Sequence, residues 1–217
     1  MQKVIQIKFV RSINLETTNR CTLQCPACLR QTYYRHNKKS IPGTDISLES
    51  FDKITDYFDV ISFCGNVSDP TTHPNFYGLL KMCVDKSKKA DISLASSHRS
   101  VGWFKRHFLL TRNNQDISWQ FAIDGLPKDS HKYRVGQDGE KLFDIMRVGA
   151  SMGCRVEWKY ILFNYNENDI DEARELANSI NVPLYIIKSV RWEGDMIKYR
   201  PSDGKNYLTR TFWKSYN

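Results

Sequence analysis

Between Ser12 and Ser189 short runs rich in β-branched and aromatic residues alternate with longer segments whose apolar residues fall at helical spacing. Strands are expected at 12–18, 60–64, 91–95, 117–123, 155–163 and 183–189. A helix capped by Ser47 should run to about Phe58, with Phe51, Ile54, Tyr57 and Phe58 as its apolar stripe. Further helices are expected at 76–86, 100–110, 141–152 (stopped by Gly153) and 170–180. The polar stretch 31–45, with its Pro42-Gly43 turn signal, reads as a loop. Strands joined by helical crossovers pair in parallel. The expected fold is α/β: a parallel sheet with outer helices, curled into an incomplete barrel of about six units, a (β/α)6 partial TIM barrel. The barrel domain should span 1–190, leaving 191–217 as a short basic tail. That tail holds Trp192, Tyr199, Tyr207, Phe212 and Trp213, to close a barrel edge or contact substrate.

A chain of 217 residues that is 41% hydrophobic, with eleven Phe, eleven Tyr and five Trp, can bury a real core. No run of 18 apolar residues occurs, so no membrane span is expected. Residues 1–8 alternate polar and apolar like an edge strand and lack the apolar stretch of a signal peptide, which makes the cytoplasm the expected compartment. The net charge of +8 is concentrated at 30–39, 81–89, 99–107 and 198–210. Such a surface suits nucleic acid, ribosomes or acidic proteins. Trp103-Phe104-Lys105-Arg106-His107 resembles an RNA footprint, but at helical spacing its aromatics belong in a core.

Strand parity separates two faces. With Trp119, Phe121 and Ile123 turned to the helices, Gln120 and Ala122 face the lumen. The same rule points Asn14, Glu16, Ser62, Lys159 and Lys188 inward, a polar set for an interior that closed barrels fill with Val, Ile and Leu. An open barrel that admits substrate accounts for it.

Directly after the first strand come Cys21, Cys25 and Cys28, spaced C-x3-C-x2-C. Three thiolates in one loop cannot pair off as disulfides but can surround a metal centre. Cysteine sulfur suits zinc or iron–sulfur clusters. Structural zinc wants four protein ligands, and no second C-x-x-C or H-x3-H follows. A [4Fe–4S] cube on three cysteines leaves one iron open to a small molecule. A zinc knuckle, or three neighbouring buried thiols, is the plainer alternative.

The cysteine loop resembles that of the radical S-adenosylmethionine (SAM) superfamily. The resemblance implies a [4Fe–4S] cluster whose open iron binds SAM, reductive cleavage to a 5′-deoxyadenosyl radical with an electron from an acidic flavodoxin or ferredoxin, and hydrogen abstraction from substrate. Cys64-Gly65-Asn66-Val67-Ser68-Asp69-Pro70 resembles a variant of the family's Gly-Gly-Glu-Pro motif, implying that Gly65, Asn66, Ser68 and Asp69 bind the SAM ammonium. Phe121-Ala122-Ile123-Asp124-Gly125 and His131-Lys132-Tyr133-Arg134 resemble segments of the peptide-modifying SPASM group. Ala122 lacks the hydroxyl that binds the SAM carboxylate there; Arg134 either replaces that contact or makes a surface ion pair. Ser96 stands where a ribose contact is expected or caps the next helix, and Ala27 lies inside the cysteine loop. Asn166 caps a helix or touches adenine. Cys64, Cys83 and Cys154 are isolated, so one cluster is expected, without the auxiliary clusters of that group.

The resulting expectation is a radical SAM enzyme acting on a peptide or protein, with Gln120, Lys159 and Lys188 contacting substrate. The alternatives are a nucleotide-type small molecule, activation of a glycyl-radical partner, or a non-catalytic zinc or iron–sulfur protein that binds nucleic acid.

Overall fold

Residues 9–189 and 194–202 are described by the computed structural model. Six strands, β1 (Ser12–Leu15), β2 (Val60–Phe63), β3 (Lys89–Leu94), β4 (Ile117–Ala122), β5 (Arg155–Leu162) and β6 (Leu184–Lys188), form one sheet in strict sequence order. Every neighbouring pair is parallel. The helices α1 (Leu29–Asn37), α2 (Leu48–Tyr57), α3 (Phe76–Asp85), α4 (Val101–Thr111), α5 (Gly139–Ser151) and α6 (Ile170–Ser179) make up the crossovers. This is the six-stranded partial barrel that the alternation predicts. The expected edge strand at 1–8 and the tail aromatics Trp192, Tyr207, Phe212 and Trp213 lie outside the described residues.

Local chemistry sets the helix starts. Ser47 Oγ accepts from Ser50 N at 3.0 Å, Asn75 Oδ1 from Gly78 N at 3.2 Å, Ser100 Oγ from Trp103 N at 3.2 Å, and Asp138 Oδ1 from Lys141 N at 2.9 Å. Each satisfies an amide that has no partner inside its helix and contributes about 1 kcal/mol. After α5 the chain turns at Gly153, whose φ of +78° is in the left-handed region that favours glycine.

Two expectations are corrected. Most of α1 lies in the stretch taken for a loop, and none of the helix's nine residues is buried, so no apolar stripe announces it. The cysteine loop starts it instead: Cys28 N donates to Cys25 O at 3.1 Å, and Thr32 N donates to Cys28 O at 2.9 Å. Arg35 Nη2 ties the helix back to Pro26 O at 3.1 Å. The first strand also ends earlier than expected, at Leu15.

The core lies between the sheet's outer face and the helices. Ile61, Phe63, Ile92, Leu94, Ile117, Trp119, Phe121, Val156, Trp158 and Tyr160 are buried there against Phe51, Phe76, Phe104, Phe108, Leu142, Ile145 and Ala173. Phe104 and His107 are buried and Trp103 packs against the core, so the aromatic stretch of α4 is core rather than an RNA footprint.

Candidate active site

Residues that alternate with this core face a central cavity of about 490 Å³. Ser93, Ala95, Gln120, Ala122, Lys159 and Ile161 line its walls, and the three loop cysteines lie at its mouth. The register sets Ala122 beside Lys159 and Lys159 beside Tyr185. It sets Lys188 beside Leu162, which is buried with Ile170 and Ile186 on the outer face. Strand alternation therefore turns Lys188 outward, although it still borders the cavity where β6 ends. That corrects its inward assignment.

Cys21, Cys25 and Cys28 all line the cavity. The loop that carries them rests on a second apolar cluster of Leu23, Tyr133, Phe163 and Met196. Burial pushes the Cys21 thiol up to about 11, with Asp69 adding to the rise; burial also raises Cys25, against the pull of Arg134. Cys28 Sγ lies 3.8 Å from Asn66 O, and Cys21 Sγ lies 3.7 Å from Ser96 Oγ. The donor set fits an iron–sulfur cube: three sulfurs facing a cavity that also has room for a second molecule.

The Gly65–Asp69 segment is held by a residue whose role the sequence did not reveal. Glu16, just past β1, accepts from Asn66 N at 2.6 Å, Val67 N at 3.0 Å and Ser68 Oγ. Gly65 is required there, because a Cβ would lie 2.6 Å from Ser68 O. Asp69 is committed to the protein itself. Its Oδ1 accepts from Thr71 N at 3.0 Å and from Thr71 Oγ1, and its Oδ2 accepts from Ala95 N and Ser96 N at 2.8 Å each. It fastens the end of β3 to the loop after β2. Ser96 caps no helix, since Ser100 caps α4.

Arg134 is not a surface ion-pair residue. Its Nε donates to Asp124 Oδ2 at 2.6 Å; Asp124 is fully buried and also accepts from Ile161 N at 2.7 Å. Burial works against the guanidinium charge, but the Asp124 carboxylate outweighs it and holds Arg134 cationic beside Cys25. Gln137, another residue the sequence did not flag, bridges two strand ends, donating from Nε2 to Ala95 O at 2.6 Å and Ala122 O at 2.9 Å. Gln120 Oε1 accepts from Ser93 Oγ at 3.1 Å. Lys159 Nζ pairs with the buried Glu157 at 2.9 Å and lies 4.1 Å from the centre of the Tyr185 ring. Asn166 caps no helix; it closes the turn after β5, where its Oδ1 accepts from Phe163 N at 2.8 Å. Cys64 shares the cavity, and burial raises its thiol to about 11.

No family model matches the sequence, and no curated protein matches it. Solved structures do match the fold. SuiB of Streptococcus suis bound to S-adenosylmethionine aligns with a TM-score of 0.69 at 13% identity, over 89% of this chain and 44% of that one. The enzyme anSMEcpe with bound AdoMet gives 0.66 at 12% identity, over 87% and 53%. Methylornithine synthase (PylB) gives 0.60 at 14% identity, over 87% and 56%. The chain spans about half the length of these structures. They are radical SAM enzymes, and their partial barrel is the fold seen here.

Proposed function

We propose that the chain is the core of a radical SAM enzyme that acts on a peptide or protein. The observation that carries the reading is the placement of Cys21, Cys25 and Cys28 on the wall of the central cavity, at the carboxyl ends of parallel strands where such sheets bind ligands.

A [4Fe–4S] cluster with SAM would supply reductive sulfonium cleavage and a carbon radical able to abstract hydrogen. The chain's own residues position and shield. Glu16 fixes the Gly65–Ser68 backbone that would orient SAM, and Asp69 braces this segment from behind. Arg134, kept charged by Asp124, offers a cation for the SAM carboxylate in the absence of a hydroxyl at Ala122. Ala27 borders the same space, and the buried Ser96 lies 3.7 Å from Cys21 Sγ. Gln120 and Lys159 face the lumen where substrate would lie.

The peptide assignment draws support from SuiB bound to its precursor peptide SuiA and from anSMEcpe bound to a Cys-containing peptide, both of this fold. The likeness to methylornithine synthase favours a second reading, a small-molecule substrate. Anaerobic reconstitution tests the reading. The chain should take up about four irons and release 5′-deoxyadenosine from SAM under a strong reductant, and Cys→Ala at position 21, 25 or 28 should abolish both. A chain that holds zinc and leaves SAM intact contradicts it.

A further inference from the structure

Among the described residues that line the central cavity, Arg134, Lys159 and Lys188 are cationic and Asp69 is the one acid. Asp69 has both oxygens committed to protein donors, and Arg134 is balanced by Asp124 at 2.6 Å. Lys188 stands exposed where β6 ends. Lys159 is therefore the cation of the interior. It shares the carboxylate of Glu157 with Arg155: Lys159 Nζ lies 2.9 Å from Oε2, and Arg155 Nη2 lies 3.1 Å from Oε1. Two cations on one carboxylate leave one positive charge over. Arg155 opens on a separate groove beside Ile180 and Pro183. The Glu157 side chain is 2% exposed and that of Lys159 17%, so the cavity meets the ammonium rather than the carboxylate. An ammonium has three donors. One goes to Glu157, and Nζ also lies 4.1 Å from the centre of the Tyr185 ring. Nζ makes no further hydrogen bond among the described residues. Gln120, in register with Glu157 on the neighbouring strand, accepts from Ser93 Oγ through Oε1 at 3.1 Å. Its Nε2 is a second donor without a partner among the described residues.

We infer that the lumen selects substrates that carry a carboxylate, bound by Lys159 Nζ and Gln120 Nε2. The inference rests on the radical SAM reading and deepens it by naming the chemical group that the substrate presents. A carboxylate matches the site in charge and in shape: one net charge meets one, two acceptor oxygens meet two donors, and the bond to the ammonium is charge-assisted. A phosphate dianion would call for more charge than one shared ammonium supplies. In a peptide the group is an Asp or Glu side chain; in a small substrate it is the carboxylate of a free amino acid.

The test pans a random library of acetylated, amidated hexapeptides against the reconstituted chain with SAM. Blocked termini leave side chains as the only carboxylates, and raised salt screens the basic outer surface far more than the interior. Wild type should enrich Asp or Glu over Asn or Gln by about tenfold at one peptide position, and Lys159→Met should lose that preference. Because Lys159→Met takes one partner from a buried carboxylate, Lys159→Met/Glu157→Gln is panned beside it and should lose the preference too. Free L-glutamate and its diamide, titrated in parallel by ligand-detected NMR, distinguish the two sources. A Lys159-dependent preference seen with free glutamate and not with the peptides assigns the carboxylate to a small substrate. An acidic preference that survives in the double variant belongs to the outer surface and overturns the inference, as does a wild type with no preference in either probe. Binding is read without turnover. A wild type that leaves SAM intact under dithionite therefore fails the enzyme reading, and is told apart from a lumen with no preference for carboxylates.

Discussion

The two faces of the same sheet are built by opposite rules. On β4, Trp119 and Phe121 are fully buried against helices, whereas Gln120 and Ala122, their alternate neighbours, line an open cavity. On β5, Trp158 and Tyr160 are buried outward, while Glu157, Lys159 and Ile161 alternate with them. The outer face is held by apolar contact, which is nondirectional and proportional to buried area. The inner face is held by specific donors and acceptors: Glu16 on the Asn66–Ser68 segment, Asp69 on Ala95 and Ser96, Gln137 on two strand ends. The contrast implies that stability lies mainly outside the sheet and chemistry mainly inside it.

The largest expected effect tests the outer face. Trp158→Ala should cost about 3–5 kcal/mol by urea unfolding, because it opens a cavity and strands the Ile123 carbonyl that now accepts from Trp158 Nε1 at 2.8 Å. A loss below about 1 kcal/mol would mean that the helix layer does not carry the fold.

A smaller effect comes from His107, a titratable group inside the outer layer. Burial, with Arg106 and Arg99 adding to it and the Trp103 carbonyl opposing, lowers its pKa from 6.5 to about 4. Between those values the unfolded chain binds a proton that the folded chain refuses. His107 therefore contributes full stability above about pH 6.5, and stability falls as pH drops toward 4. The loss should reach up to about 3 kcal/mol. Urea midpoints at pH 7 and pH 5 should show that slope, and His107→Phe should flatten it. An unchanged slope in the variant would place the acid sensitivity elsewhere.

The smallest effect is on the inner face. Gln120→Ala removes one hydrogen bond, with Ser93, at a wall that water reaches, and should change stability by less than about 1 kcal/mol. Turnover of substrate should nevertheless fall, since Gln120 faces the lumen. A stability loss as large as that of Trp158→Ala would erase the division between the faces.

Much of this was legible in the sequence. Alternating β-branched runs and capped helices gave the six parallel strands, because period and capping residues are local signals. Parity placed Gln120, Ala122 and Lys159 correctly. It failed at Lys188, one residue out of phase in β6, because a short run of Leu, Tyr, Ile and Ile looks the same in either phase. Helix α1 escaped because it has no buried side to imprint a pattern. Glu16 and Gln137 escaped for another reason. Glu16 meets Asn66 across 50 residues, and Gln137 meets Ala95 across 42, so nothing in the neighbouring sequence signals either contact. Asp69 lines the cavity, but the commitment of its carboxylate to Thr71, Ala95 and Ser96, rather than to the open space, shows only in three dimensions.

The central claim is that three cysteines hold a cube whose fourth iron is left for SAM. Mössbauer spectroscopy of the ⁵⁷Fe-reconstituted chain, recorded before and after adding SAM, addresses it most directly. The account predicts that one iron site changes its isomer shift on SAM addition while the other three do not. Iron sites that are indifferent to SAM, or a preparation that binds no cluster at all, would contradict it.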